Sequence, residues 1–316
     1  MKNFKVTMVF ILAILVSTSL IAGGTEEAVT SDTQADPINI VATTSFIGDV
    51  VTNIAGTAAE ITILMPPGQN PHSWEPSPRN LTAIEDADLI FINGLGLEES
   101  LIAILDGMKT APVIPVSSGI DVTGGDKEGE HHHDAVNPHV WFSPLNVIKW
   151  AENIAAALST ADPANQNWYK EAAEAYTTEL QELDSEIRSL LSVLDPEEKK
   201  LVMDHASFEY YAREYGFKIS GNLIPGMNDQ AEPSARDIAA LAELVKTANI
   251  KAIFVGGTAG RSLKNLAASV AAETGRDIAV VELLTGSLAA AGQRGDSYTD
   301  FIRYNTELIV EALSRE

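Results

Sequence analysis

Between residues 164 and 194 the sequence carries one unbroken helical pattern. Tyr169, Ala173, Tyr176, Leu180, Leu183, Ile187, Leu190 and Leu191 recur mostly at spacings of three or four, with charges between them. At 1.5 Å per residue such a helix runs roughly 40 to 45 Å, longer than a small domain is wide. On each side of it, short β-branched runs alternate with helical stretches. This predicts an α/β protein of two lobes, each a mostly parallel sheet flanked by helices, joined by one long rigid helix. The other arrangement the pattern allows is a helix folded back as one arm of a helical hairpin.

In the first block, strands are expected at 38–43, 59–64, 88–92 and 112–116, with helices at 46–55, 80–87 and 97–108. A further helix at 144–158 precedes the Asp162-Pro163 pair that opens the long one. Beyond Asp195-Pro196 the alternation resumes. It places strands at 200–203, 217–219, 252–255 and 278–281, and helices at 208–215, 234–247, 263–273 and 298–314. The expected lobes are therefore 37–160 and 196–316, with the link at 161–195. Ligands of such sheets bind beyond the carboxyl ends of the strands.

The chain of 316 residues is 45% hydrophobic, ordinary for a globular protein. Lys+Arg 21 against Asp+Glu 44 gives a formal net charge of -23, which argues against nucleic acid or an anionic membrane surface as partner. That charge suits a cation, although solubility or a salty habitat explains it as well. There is no cysteine, so disulfides, thiolate metal sites and thiol nucleophiles are all excluded. Residues 1–23 read as an export signal, with Lys2 and Lys5 ahead of an apolar run at 6–21, or as an uncleaved anchor. Residues 24–36 read as a tether. The body is thus expected outside the cytoplasm. Ile21-Ala22-Gly23 resembles the approach to a lipoprotein cleavage site, but Gly24 stands where a lipid-bearing cysteine would be.

A motif used twice carries the chemistry. Asn70-Pro71-His72-Ser73-Trp74 recurs as Asn137-Pro138-His139-Val140-Trp141, each running on into a Ser-Pro pair. Proline fixes its own φ and restricts its neighbour, so each histidine sits on a stiff loop. A third candidate, His205, closes the apolar run Leu201-Val202-Met203. Three imidazoles meeting at one point would hold a divalent transition metal, with an open position left on a tetrahedral ion. His131, His132 and His133, in the acidic loop 130–134, are candidate weak accessory ligands or a solvated loop. Gly256-Gly257-Thr258-Ala259-Gly260 lacks the spacing and the Lys of a phosphate loop.

The chain resembles the zinc/manganese family of solute-binding proteins that deliver metal to ATP-driven importers. The likeness is carried by Thr43-Thr44-Ser45-Phe46, by 68–78, by Ala87-Asp88-Leu89, by 137–141, by His205-Ala206-Ser207-Phe208, by Glu232-Pro233-Ser234 and by Asp296-Ser297-Tyr298. It implies a metal in the cleft between lobes and a ligand role for His72, His139 and His205. The third ligand is usually Glu in manganese proteins and His in zinc proteins, so His205 implies zinc ahead of manganese. A His-rich stretch before His139 is also typical of zinc members. The chain departs from the family at Gly286, where an Asp ligand is common, and at Gly256, where relatives tend to carry Glu. The fourth ligand should therefore be water or a carboxylate reaching in from elsewhere, and water is expected because three histidines already suffice.

The implied function is an extracytoplasmic receptor, acting as a monomer, that captures zinc and hands it to the permease and ATPase of an importer. It would perform no chemistry of its own. Affinity should fall below about pH 6 to 6.5, because ligand histidines must be unprotonated. Two other readings stand beside it: a surface adhesin or metal sensor on the same scaffold, and a zinc hydrolase whose three histidines activate a water. Glu75, Asp204 and Glu209 are the neighbouring carboxylates such a hydrolase would have to use.

Overall fold

The computed structural model describes residues 37–108, 111–123, 136–224, 226 and 234–315. The expected signal and tether at 1–36, the loop with His131, His132 and His133, and Glu232-Pro233 lie outside these residues. The first sheet comprises β1 (Ile38–Thr44), β2 (Ala59–Met65), β3 (Leu89–Ile92) and β4 (Val113–Pro115), all parallel, in the order β2-β1-β3-β4. The second comprises β5 (Lys200–Met203), β6 (Lys218–Asn222), β7 (Ala252–Gly256) and β8 (Ala279–Leu283), again parallel, in the order β6-β5-β7-β8. Both sheets start in the middle and reverse direction once. Each therefore opens a crevice at the carboxyl ends of its two inner strands.

Helices α1 (Ser45–Ala55), α2 (Pro78–Glu85) and α3 (Glu99–Leu105) connect the first set of strands. Helices α6 (Glu209–Tyr215), α7 (Ala235–Thr247) and α8 (Arg261–Glu273) connect the second. The starts of α1, α2, α7 and the closing helix at Tyr298–Leu313 are chemically marked. The Thr44, Ser77, Ser234 and Ser297 hydroxyls accept the backbone N–H three residues on, so first-turn donors that no helical carbonyl can reach are satisfied.

Between the sheets run α4 (Pro144–Ala161) and α5 (Gln166–Leu190), the latter 25 residues long with 3₁₀ turns at Pro163–Asn165 and Leu191–Val193. That gives α5 a length of about 38 Å. The two arrangements allowed by the pattern turn out to be one: α5 packs along α4 as a hairpin arm, and also against α1 and the closing helix α9 (Tyr298–Leu313). Its buried face is the apolar series Tyr169, Ala173, Tyr176, Leu180, Leu183 and Ile187.

One core runs through both halves. Phe46 and Phe142 from the first meet Phe208 and Phe301 from the second, with ring centroids 4.9 Å apart for Phe46 and Phe301 and 4.0 Å for Phe142 and Phe208. Smaller clusters fill the outer faces of the sheets. Because the middle of the molecule is shared apolar surface, separating the lobes would expose aromatic rings to water.

Candidate metal centre

Each site histidine leaves the carboxyl end of its sheet. His72 follows β2, His139 follows β4, and His205 follows β5 by two residues. The repeated Asn-Pro-His frame is an Asx turn in both copies. Asn70 Oδ1 accepts the His72 N–H at 3.0 Å, and Asn137 Oδ1 accepts the His139 N–H at 3.0 Å.

The three rings fan around one point, with centroids 5.1, 5.5 and 5.0 Å apart. Nε2 of His139 lies 3.0 Å from Nε2 of His72 and 3.3 Å from Nε2 of His205. A tetrahedral ion with bonds of about 2.0 to 2.1 Å separates its ligand atoms by about 3.3 to 3.4 Å, which the His139–His205 pair matches and the His139–His72 pair undershoots by a few tenths of an ångström. Among the described residues this is the one group of three or more potential ligands close enough to share an ion. His139 and His205 are buried, and His72 is partly exposed.

Hydrogen bonds fix which nitrogen faces inward. His139 Nδ1–H donates to Asn137 Oδ1 at 2.8 Å, and His205 Nδ1–H donates to Asp204 Oδ1 at 2.8 Å, which turns both Nε2 lone pairs toward the shared point. Asp204 is itself held, since Oδ1 accepts the His205 N–H at 2.8 Å and Oδ2 accepts the Gly256 N–H at 2.6 Å. Burial, then the neighbouring His205 and His72, push the His139 pKa well below the usual histidine range. The ring is thereby kept in the neutral form that binds metal.

Beneath His139 lies a support the sequence did not reveal. Asn93 Nδ2 donates to the Pro138 carbonyl at 3.1 Å, and the Asn93 N–H donates to buried Glu98 at 2.6 Å. Glu98 also accepts the Thr43 hydroxyl at 2.7 Å and the Gly94 N–H at 3.0 Å, while burial raises its pKa. A Glu opening a helix reads as ordinary capping chemistry, so nothing local pointed to this role. Trp141 packs on His139 with centroids 5.1 Å apart and donates Nε1–H to the Thr285 carbonyl across the cleft at 3.1 Å.

The cavity at the histidines is about 10 Å³, room for one water-sized centre. Thr258, Thr285, Pro71 and Gly286 complete its wall, and among the described residues no carboxylate lines it. A Cβ at Gly286 would lie 2.8 Å from Thr258 Oγ1 and 2.9 Å from Pro71 Cδ, so the place of a side chain there is taken. At Gly256 a Cβ would meet the Thr285 side chain and lie 3.0 Å from Asp204 Oδ2.

A family model described as zinc-uptake complex component A, periplasmic (ZnuA), matches residues 40–312. The chain belongs to the ZnuA family. It is 32% identical over 307 residues to the manganese-binding lipoprotein MntA of Halalkalibacterium halodurans, covering 97% of this chain and 98% of that one. It is 30% identical over 323 residues to the manganese ABC transporter substrate-binding lipoprotein PsaA of Streptococcus mitis, covering all of both. Among solved structures it superposes on the periplasmic zinc binding protein TroA from Treponema pallidum with a TM-score of 0.80 at 28% identity, over 89% of this chain and 100% of that one. A manganese-bound periplasmic metal binding protein from Candidatus Liberibacter asiaticus gives 0.76 at 27% identity, over 87% of this chain and 98% of that one. As a ZnuA-family member the chain is an extracytoplasmic, metal-binding receptor of the ABC-transporter substrate-binding kind and not an enzyme. The hydrolase reading is thereby closed.

Proposed function

We propose that the cargo is zinc, held by His72, His139 and His205 with water as the fourth ligand, and that the loaded receptor, a monomer, delivers it to the permease and ATPase of an importer. The observation that carries this reading is the donor set: three imidazole nitrogens, with no carboxylate among the described residues lining the cavity. Imidazole suits zinc, whereas manganese stands lowest in the divalent series and favours oxygen donors. Relatives with manganese in their names make the contrast between the two metals the decisive measurement. Export through the apolar segment at 6–21, with no cysteine in these 316 residues to carry a lipid, completes the proposal.

The test is calorimetric titration of the metal-stripped protein with zinc and with manganese, alongside His72→Ala. Tight one-to-one zinc binding, weaker manganese binding and loss of both in the variant are expected. Manganese bound as tightly as zinc would overturn the metal assignment. Weak binding unchanged in the variant would overturn the site.

A further inference from the structure

The two Asn-Pro-His frames are alike in sequence and unlike in placement. Asn70 is half-buried, whereas Asn137 is fully buried. Asn137 belongs to the first lobe, yet two of its four polar atoms, Nδ2 and the backbone carbonyl oxygen, are engaged by the second. Its Oδ1 grips His139 twice, at the backbone N–H and at Nδ1–H. Its Nδ2 donates to the Ala206 carbonyl, next to His205, at 2.9 Å, and to Glu209 Oε2, at the start of α6, at 2.9 Å. Its carbonyl accepts the Tyr210 hydroxyl at 2.7 Å, and that same hydroxyl accepts the Thr123 N–H at 3.1 Å.

We propose that Asn137 is a positioning residue that couples the ligand His139 to the engagement of the second lobe. The inference rests on the ligand role given above to His139 and deepens it. An amide is required by the chemistry of the place. The oxygen must accept from His139, which keeps Nδ1 protonated and Nε2 bare, while the nitrogen must donate to a carbonyl and a carboxylate. A carboxylate at 137 could meet the first demand and would oppose the second, lying against Glu209 and the Ala206 carbonyl. An apolar residue would meet neither. Any shift of α6 relative to the first lobe therefore pulls on the ring that lies between His72 and His205, and of the two motif copies it is the second whose asparagine side chain itself donates to the second lobe.

The experiment is a double-mutant cycle on the full chain with Asn137→Asp, Glu209→Gln and both together. Cobalt is the probe: its visible bands report ligand geometry, and its release to excess chelator is timed by stopped flow. Thermal unfolding of the metal-free proteins is measured in parallel. Asn137→Asp should speed release by about 10 to 100-fold and move the cobalt bands. The double variant should recover most of both, because the amide introduced at position 209 can donate to the new carboxylate. Should Asn137→Asp fail to fold, Tyr210→Phe, which removes one tie without touching the ring, should still speed release. Release and bands that stay at wild-type values in Asn137→Asp, or that change without recovery in the double variant, would overturn the proposal. Failure of the wild-type chain to bind metal would instead overturn the receptor reading.

Discussion

The departure at Gly286 is filled space, not a gap awaiting a ligand. Pro71 Cδ and Thr258 Oγ1 stand where a side chain at 286 would begin, and the proline ring cannot swing aside. We therefore expect Gly286→Asp to cost about 1 to 3 kcal/mol of stability by overpacking, without tightening zinc binding. Calorimetry and denaturant unfolding of the variant check both halves, and a gain in affinity would show that the wall yields. Asp204 works differently. It orients His205 through Nδ1–H and anchors to the Gly256 N–H, so Asp204→Asn must turn an amide N–H toward one of those donors. A 10 to 100-fold loss of metal affinity is expected, read in a chelator competition. The histidine cluster was legible from sequence because proline-framed histidines repeat in an obvious phrase, and Asp204 beside His205 was at least visible. Asn137's reach to Glu209, and the closure of the Gly286 seat by Pro71, depend on segments about 70 and 215 residues apart. No local pattern encodes such approaches.

At the level of elements, continuous apolar runs located the inner strands, which are buried on both faces, and spacings of three and four located helices such as α5. Strand β5 falls where it was expected, and the ends of the other strands shift by up to three residues, most at β6, expected at 217–219 and found at Lys218–Asn222. What periodicity did not decide was the partner of α5, since an apolar stripe states that something covers it and not what. The same helix contributes to an electrostatic contest. Asp49 on α1 accepts the Tyr298 N–H at the start of α9 at 3.1 Å, and burial, with Glu179 of α5 and Asp296 adding repulsion, lifts its pKa to about 6. A carboxyl raised in the fold adds stability below its unfolded value near 3.8, and that stability is lost as pH rises through about 6. His139 acts in the opposite sense. Its folded pKa is depressed, so the unfolded chain takes the proton first and the metal-free fold loses stability as pH falls below about 6.5. Thermal unfolding of metal-free protein between about pH 4 and 8 should separate them. His139→Gln should flatten the acid side, and Asp49→Asn should raise the midpoint at neutral pH. A lower neutral midpoint for Asp49→Asn would show that its charge is favourable where it sits.

Considered whole, the molecule is two crevices closed over one core. Phe46, Phe142, Phe208 and Phe301 interleave the halves, and Trp141 and Tyr298 add bonds across them, the Tyr298 hydroxyl donating to the Trp141 carbonyl at 2.8 Å. A wide hinge opening would expose that core. Small-angle scattering should therefore show no measurable change in the radius of gyration between metal-free and zinc-loaded protein, and a clear contraction on loading would mean that the core parts. The net charge of -23 acts at longer range, and the rate of metal capture should fall with added salt. A stiff frame also has a consequence for unloading. A clamshell that breathes lets its cargo escape whenever it gapes, whereas an ion held as proposed by His72, His139 and His205 would leave by peeling imidazoles away one at a time, beginning at the partly exposed His72. The same rigidity that keeps the carrier from leaking leaves it unable to empty itself, so handing over the ion becomes mechanical work that whatever docks on it must supply.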